Sequence, residues 1–166
     1  MSKHNDGFNP ELNRRRFKGV VSTALVEKGH LLMVQEADGT DRGRWNFPGG
    51  KVGEDEWLLD AALREMREET GCTVKISGLG GLYHYVSRSG EPCLRFLFFA
   101  TAVSGTPRPR ANEIEDVRWF HLDQLEAMED REICKPQLLR PMFAAVRRMR
   151  PWPIEFLHEL VTVTAG

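Results

Sequence analysis

The sequence predicts a mixed α/β (α+β) domain, and three observations carry that expectation. β-Branched and small apolar residues fill 17–27 and 31–34, which reads as strand. An amphipathic segment follows at about 58–70, with apolar residues at helical spacing. A second strand region, built around the phenylalanine-rich run Cys93–Val103, then precedes two further helical stretches. The order strands, helix, strands, helices points to helices layered on a sheet. At 166 residues, with about 100–200 residues expected per domain, one domain suffices. We expect residues 14–166 to form it, behind a flexible polar arm at 1–13.

The N-terminal strand carries Val20, Val21, Thr23 and Val26, and Lys28-Gly29-His30 supplies its hairpin turn. Arg14, Arg15 and Arg16 stand at its entrance, where three arginines can meet phosphate or simply be solvated. Residues 36–44 are polar, include Gly39 and Gly43, and read as a loop ending at Trp45-Asn46-Phe47-Pro48. Leu59, Leu63 and Met66, with Ala62 beside them, form the apolar stripe of the first helix, and Gly71 closes it as a C-terminal cap. Residues 73–76 and 82–86 read as strand pieces separated by Gly78, Gly80 and Gly81, and 87–92 as a turn. The run at 93–103 suits a strand buried on both faces, and only Arg95 interrupts it. Gly105 to Asn112 is a loop bearing Arg108 and Arg110. Residues 115–120 read as strand and 123–128 as a short helix. Pro136 opens a longer helix that runs to Met149 and is stopped by Pro151-Trp152-Pro153.

Charge and cysteine usage exclude several classes. Lys and Arg number 23 against 24 Asp and Glu, so no global basic field favours nucleic acid. Cys72, Cys93 and Cys134 form no CxxC, which argues against a zinc site or disulfide framework and for a reducing, cytoplasmic setting. No apolar run approaches the roughly 20 residues needed to span a bilayer. Nothing in the sequence specifies an oligomer.

The chemistry concentrates in 50–72. Glu65, Glu68 and Glu69 stand at i, i+3 and i+4, one face of an α-helix, where like charges repel. A solvated acidic face gains nothing from that repulsion, whereas a hard divalent cation such as Mg²⁺ would relieve it. Trp45 and Phe47 lie beside this region as candidates for stacking on a flat ring or for the core; Phe47, followed by Pro48-Gly49-Gly50, is expected to pack inward, and Trp45 is the better placed for a substrate contact. Arg95 needs either a partner or a cleft, which makes it a candidate phosphate contact.

These residues carry a resemblance. Gly50, Glu56, Arg64-Glu65-Met66, Glu68-Glu69, Gly71 and Cys72 match the pattern GX5EX7REUXEEXGU, in which U is a bulky apolar residue. The segment resembles the signature box of the Nudix hydrolases, with Cys72 the softest fit. The resemblance implies an α/β/α sandwich with a mixed central sheet, and hydrolysis of a diphosphate linkage in a small-molecule nucleoside phosphate or other diphosphate. It implies Mg²⁺, or Mn²⁺, held by Glu65, Glu68 and Glu69, with the Gly49 carbonyl joining them and Glu56 in support. Arg64 would orient a box carboxylate, beside its ordinary helix pair with Glu68. Glu65 is the first choice of catalytic base, with Glu69 beside it. Glu113, six residues before Trp119, fits the place where some relatives carry a further acidic group, and Glu115 and Asp116 are rivals; a structural ion-pair role suits all three.

Segments 94–98, 117–119, 139–141 and 152–155 are similar to those of NudJ-type phosphatases within that family. That similarity implies release of phosphate from nucleoside tri- and diphosphates and from hydroxymethylpyrimidine pyrophosphate. Two alternatives stand beside it. One is a MutT-like pyrophosphohydrolase for oxidised purine nucleotides, with Asn46, Asn112 or Trp45 reading the base. The other is a non-catalytic Nudix-like module that binds a nucleotide, against which stands the full set of box carboxylates.

Overall fold

The computed structural model describes residues 17–109 and 112–158. The expected arm at 1–13, Arg14 to Arg16 and Arg110 lie outside those residues. Six strands form one mixed sheet: β1 (Lys18–Glu27), β2 (His30–Glu36), β3 (Trp45–Asn46), β4 (Thr73–Val86), β5 (Pro92–Ser104) and β6 (Ile114–His121). The order is β3-β2-β1-β5-β4, with β6 on the other edge of β2. The β1–β5 pair is parallel and the rest are antiparallel. Lys28 and Gly29 both take positive φ, at 48° and 78°, which is the left-handed conformation a two-residue hairpin turn needs.

Alternation along the strands divides the core between two faces. Ala24, Leu31, Met33, Leu97 and Phe99 face α2 (Leu122–Ala127) and α3 (Pro136–Arg148), which contribute Leu125, Leu139, Met142, Phe143 and Val146. Val21, Leu25, Leu32 and Phe98 face α1 (Leu58–Glu65) and the turn after it, which contribute Ala61, Ala62 and Met66. Both faces are covered, which is why the run in β5 is nearly continuously apolar. This is the expected α/β/α sandwich. Among the described residues, no helix is long and apolar enough to cross a membrane.

Three local expectations change. The pieces expected at 73–76 and 82–86 are one 14-residue strand, because Gly78, Gly80 and Gly81 make register shifts against β5 rather than breaks. Side chains there would collide with Pro151, Phe99 and Tyr83. The second change is in the helix itself: α-geometry stops at Glu65, and Met66–Thr70 forms a π-helical turn that Gly71 ends at φ 72°. Glu65, Glu68 and Glu69 therefore do not share a simple α-helical face. The third concerns the apolar stripe: Met66 and Ala62 are fully buried, Leu59 and Leu63 are only partly covered, and Ala61, outside the expected stripe, is buried as well.

Candidate active site

The site is built where the loop at 48–52 runs along β1. The edge of β1 beyond the reach of β2 is taken by this loop: Val21 N–H donates to the Gly50 carbonyl and Thr23 N–H to that of Pro48, each at 2.9 Å. In an extended chain, alternate residues present their polar groups to opposite sides, so Gly49 faces away from β1. Its N–H donates to Glu69 Oε2 at 2.8 Å. Gly49 takes φ 149°, and a Cβ there would overlap the Val21 carbonyl oxygen. A Cβ on Gly50 would overlap the Glu65 carboxylate. Only glycine admits so close an approach of loop, strand and helix.

Arg64 ties that loop to the helix. Its Nε and Nη2 form a fork on Glu56, at 2.7 and 2.9 Å. Nη1 donates to Glu65 Oε1 at 2.8 Å and Glu68 Oε2 at 2.9 Å, and Nη2 also reaches the Lys51 carbonyl at 3.2 Å. Glu56 accepts a further bond from Gly53 N–H at 2.9 Å. With both oxygens engaged, Arg64 first and Gly53 second hold its carboxyl down at about 2. Glu56 is thus a fixed counter-charge that orients Arg64, and Arg64 in turn orients Glu65 and Glu68.

The three helix carboxylates occupy three environments. Glu68 is well exposed at its side chain, 58%. Glu65 is mostly covered, and burial raises its pKa against the opposing pull of Arg64. Glu69 is only 8% exposed; burial pushes its carboxyl up to about 9, and the charges of Glu65, Glu36 and Glu113 add to that rise. Glu68 thus stays at the surface, whereas the π turn rolls Glu69 toward β1. Glu113 is fixed by its own carbonyl, which accepts from Ala37 N–H at 2.9 Å. Its charge adds, as the smallest contribution, to the raised pKa of both Glu65 and Glu69. Asp116 instead pairs with Arg118 at 2.6 Å and accepts from Val117 N–H at 2.8 Å.

The substrate candidates fall out differently. Phe47 is fully buried against Phe143. Trp45, expected at the substrate, is 8% exposed and stands edge-on to Phe120, with Arg118 over its ring. Strand β3 bonds both to β2 and, through Trp45, to the backbone at Glu132 and Cys134, so the ring is drawn into the core. Arg95 is buried, donates from Nη1 to Ser22 Oγ at 3.2 Å, and leaves Nε without a partner. Glu36, expected at the start of a polar loop, is a further member. It ends β2, accepts from Asn46 Nδ2 at 2.8 Å, and is raised in pKa by burial. The signal for it was slight: a carboxylate closing an apolar strand. Asn46 is itself buried, with Oδ1 unpartnered. Among the described residues, no group of three or more His, Cys, Asp or Glu side chains is set, as it stands, to hold a metal ion. Glu65, Glu68 and Glu69 follow one another along the end of the helix as an open row.

A glycine loop registered on a parallel-paired strand, with a carboxylate-bearing helix against it, is the architecture of one hydrolase family. The Nudix domain model matches residues 15–140, and the chain belongs to the Nudix hydrolase family. It is 31% identical over 112 residues to the phosphatase NudJ of Escherichia coli K12, covering 66% of this chain and 72% of that one. A Nudix hydrolase from Nitrosomonas europaea superposes with a TM-score of 0.77 at 24% identity, over 87% of this chain and 98% of the other. A MutT Nudix hydrolase from Burkholderia pseudomallei gives 0.65 at 26%, over 81% and 99%.

Proposed function

We propose that this enzyme is a divalent-metal-dependent phosphohydrolase that releases phosphate from nucleoside tri- and diphosphates, with hydroxymethylpyrimidine pyrophosphate among its substrates. The observation that carries the reading is Glu69: a buried carboxylate within range of the charges of Glu65, Glu36 and Glu113, with one backbone N–H for support. Such a group is costly to ionise alone. The donor set is all oxygen, from Glu65, Glu68, Glu69 and the Gly49 carbonyl, which suits Mg²⁺ or Mn²⁺, and an open row suits an ion that keeps part of its coordination for waters and phosphate. Bound there, the ion would supply neutralisation of phosphate charge and acidity to water. The chain's own residues do the rest. Glu65, its pKa raised by burial and so a stronger base than an exposed carboxylate, accepts the proton of the attacking water. Arg64 and Glu56 hold Glu65 and Glu68 in place, and the 48–52 loop fixes Gly49 against β1. Glu113, exposed at the rim, contributes charge and serves as a second acid–base group.

The likeness to NudJ, a phosphatase, supports orthophosphate as the product. A second reading is MutT-like attack on oxidised purine nucleoside triphosphates. It is favoured by the buried, unpartnered Asn46 Oδ1, an acceptor available to a base. Product analysis decides between them. With Mg²⁺ and a panel of nucleotides plus hydroxymethylpyrimidine pyrophosphate, the first reading expects orthophosphate. Pyrophosphate with a nucleoside monophosphate would move the assignment to the second. Nucleotide binding with no turnover of any compound would make the protein a binding module.

A further inference from the structure

Arg95 carries more than the hydrolase reading uses. It is 6% exposed, in the middle of a strand. A guanidinium has five N–H donors; here Nη1 reaches the Ser22 hydroxyl, and Nε has no partner. The guanidinium carbon lies 5.8 Å from the centre of the Tyr85 ring. Glu36 is near enough to feel its charge, but that carboxylate is bonded to Asn46. Among the described residues, Arg95 forms no ion pair. A buried arginine so poorly matched is one whose partner is an anion from outside.

The space beside it fits that partner. Arg95 lines a cavity of about 380 Å³ together with Lys18, Lys51, Arg88 and Lys135. Two carboxylates also line it. Glu91 is taken by Lys18 at 2.5 Å, and Asp41 is shared among Lys135 at 3.2 Å, Arg88 at 3.1 Å and Arg44 at 3.5 Å. The cations outnumber the anions, and the innermost one is the least satisfied. Lys51 also connects the cavity to the box, since its carbonyl accepts from Arg64. A larger groove of about 740 Å³ shares Tyr85, Arg88 and Lys135 and continues past Tyr83 toward Leu138, giving room for the organic part of a ligand.

We propose that the Arg95 cavity is an anion subsite that binds a phosphate group, separate from the carboxylate row and adjoining it. Its bearer is either the substrate, through a phosphate other than the one attacked, or free orthophosphate. The subsite deepens the hydrolase reading and rests on it only for the identity of that bearer.

Calorimetric titration of inorganic phosphate into the full chain without divalent metal tests it. Saturable binding is expected, weakened about tenfold or more by R95Q and less by R95K, which keeps the charge and loses the planar fork. E69Q should bind at least as well as wild type. If R95Q does not fold, the partly exposed pair R88Q/K135Q supplies the same comparison, with binding about three- to tenfold weaker. No binding by wild type, or binding that R95Q and R88Q/K135Q leave intact, overturns the proposal. Inhibition kinetics then identify the bearer. Competitive inhibition by phosphate, with KM raised about tenfold in R95Q and kcat within about threefold, assigns the subsite to the substrate. Non-competitive inhibition assigns it to free phosphate. The titration needs no turnover, so loss of the subsite with normal hydrolysis differs from phosphate binding without any hydrolysis.

Discussion

Glu56 and Glu69 are both box glutamates, and their surroundings drive them in opposite directions. Glu69 has its carboxyl raised from 4.5 to about 9, chiefly by burial. A raised acid is harder to ionise folded than unfolded, so this residue costs the metal-free protein stability as pH climbs above about 4.5. E69Q keeps an acceptor for Gly49 N–H and removes that cost. Thermal melts in EDTA should show E69Q more stable than wild type at pH 8, by roughly 2–4 kcal/mol, with the gap closing below pH 4.5. Its turnover should fall about 100-fold or more. A variant less stable than wild type at pH 8 would contradict the burial argument. E68Q should lose turnover on the same scale, without the stability gain, because Glu68 is exposed. Glu56 behaves inversely. Its folded pKa of about 2 lies below the ordinary 4.5, so its stabilisation is full above 4.5 and lost as pH falls through 2. E56Q should therefore flatten the acid limb of a denaturation profile taken between pH 5 and 2. R64K should lower kcat about tenfold or more, since a lysine cannot hold Glu56, Glu65 and Glu68 together.

At the scale of elements, the 48–52 loop and the π turn set the geometry. Gly49 and Gly50 are both crowded, but against different neighbours. A Cβ at Gly49 meets the backbone of β1, which cannot move aside, and the residue holds φ 149°. G49A should destabilise the fold by about 2–3 kcal/mol, seen as a lower urea midpoint. At Gly50 the Cβ meets the end of the Glu65 side chain, which can swing away. G50A should keep most of its stability and lose activity, because the displaced group is the proposed base. The reverse pattern would mean the loop is not registered on β1 as described. The π turn explains why the spacing of Glu65, Glu68 and Glu69 was readable and their burial was not. Spacing on an ideal α-helix puts all three on one face, whereas the change of period after Glu65 sends Glu69 inward and leaves Glu68 outside.

For the molecule as a whole, the sheet is covered on both faces, and all three cysteines are buried and free. Burial pushes the Cys134 thiol up to about 12, with Asp41 and Glu36 adding to it. Little of the Cys134 thiolate forms at pH 8, and Cys72 and Cys93 are buried out of reach, so a disulfide reagent should react slowly with the native protein and with three thiols once it is denatured. Rapid reaction of Cys134 in the native state would show that the packing around β3 and α3 opens readily. The pattern from Gly50 to Cys72, the alternation in β1 and β2, and the two-sided apolar run in β5 determined the family, the layers and the spacing of the helix carboxylates, because each is a local periodicity or a fixed spacing. The fates of Trp45, Arg95, Glu36 and Glu113 were decided only by tertiary structure. Trp45 is drawn into the core by its backbone bonds to Glu132 and Cys134, nearly ninety residues away. Glu113 acts on Glu65 and Glu69 through its charge from a position held by the bond of its carbonyl to Ala37 N–H. Arg95 faces a cationic cavity whose walls come from five separate stretches of chain. What a side chain does at such a place depends on neighbours brought from far along the sequence, and no window on the sequence contains them.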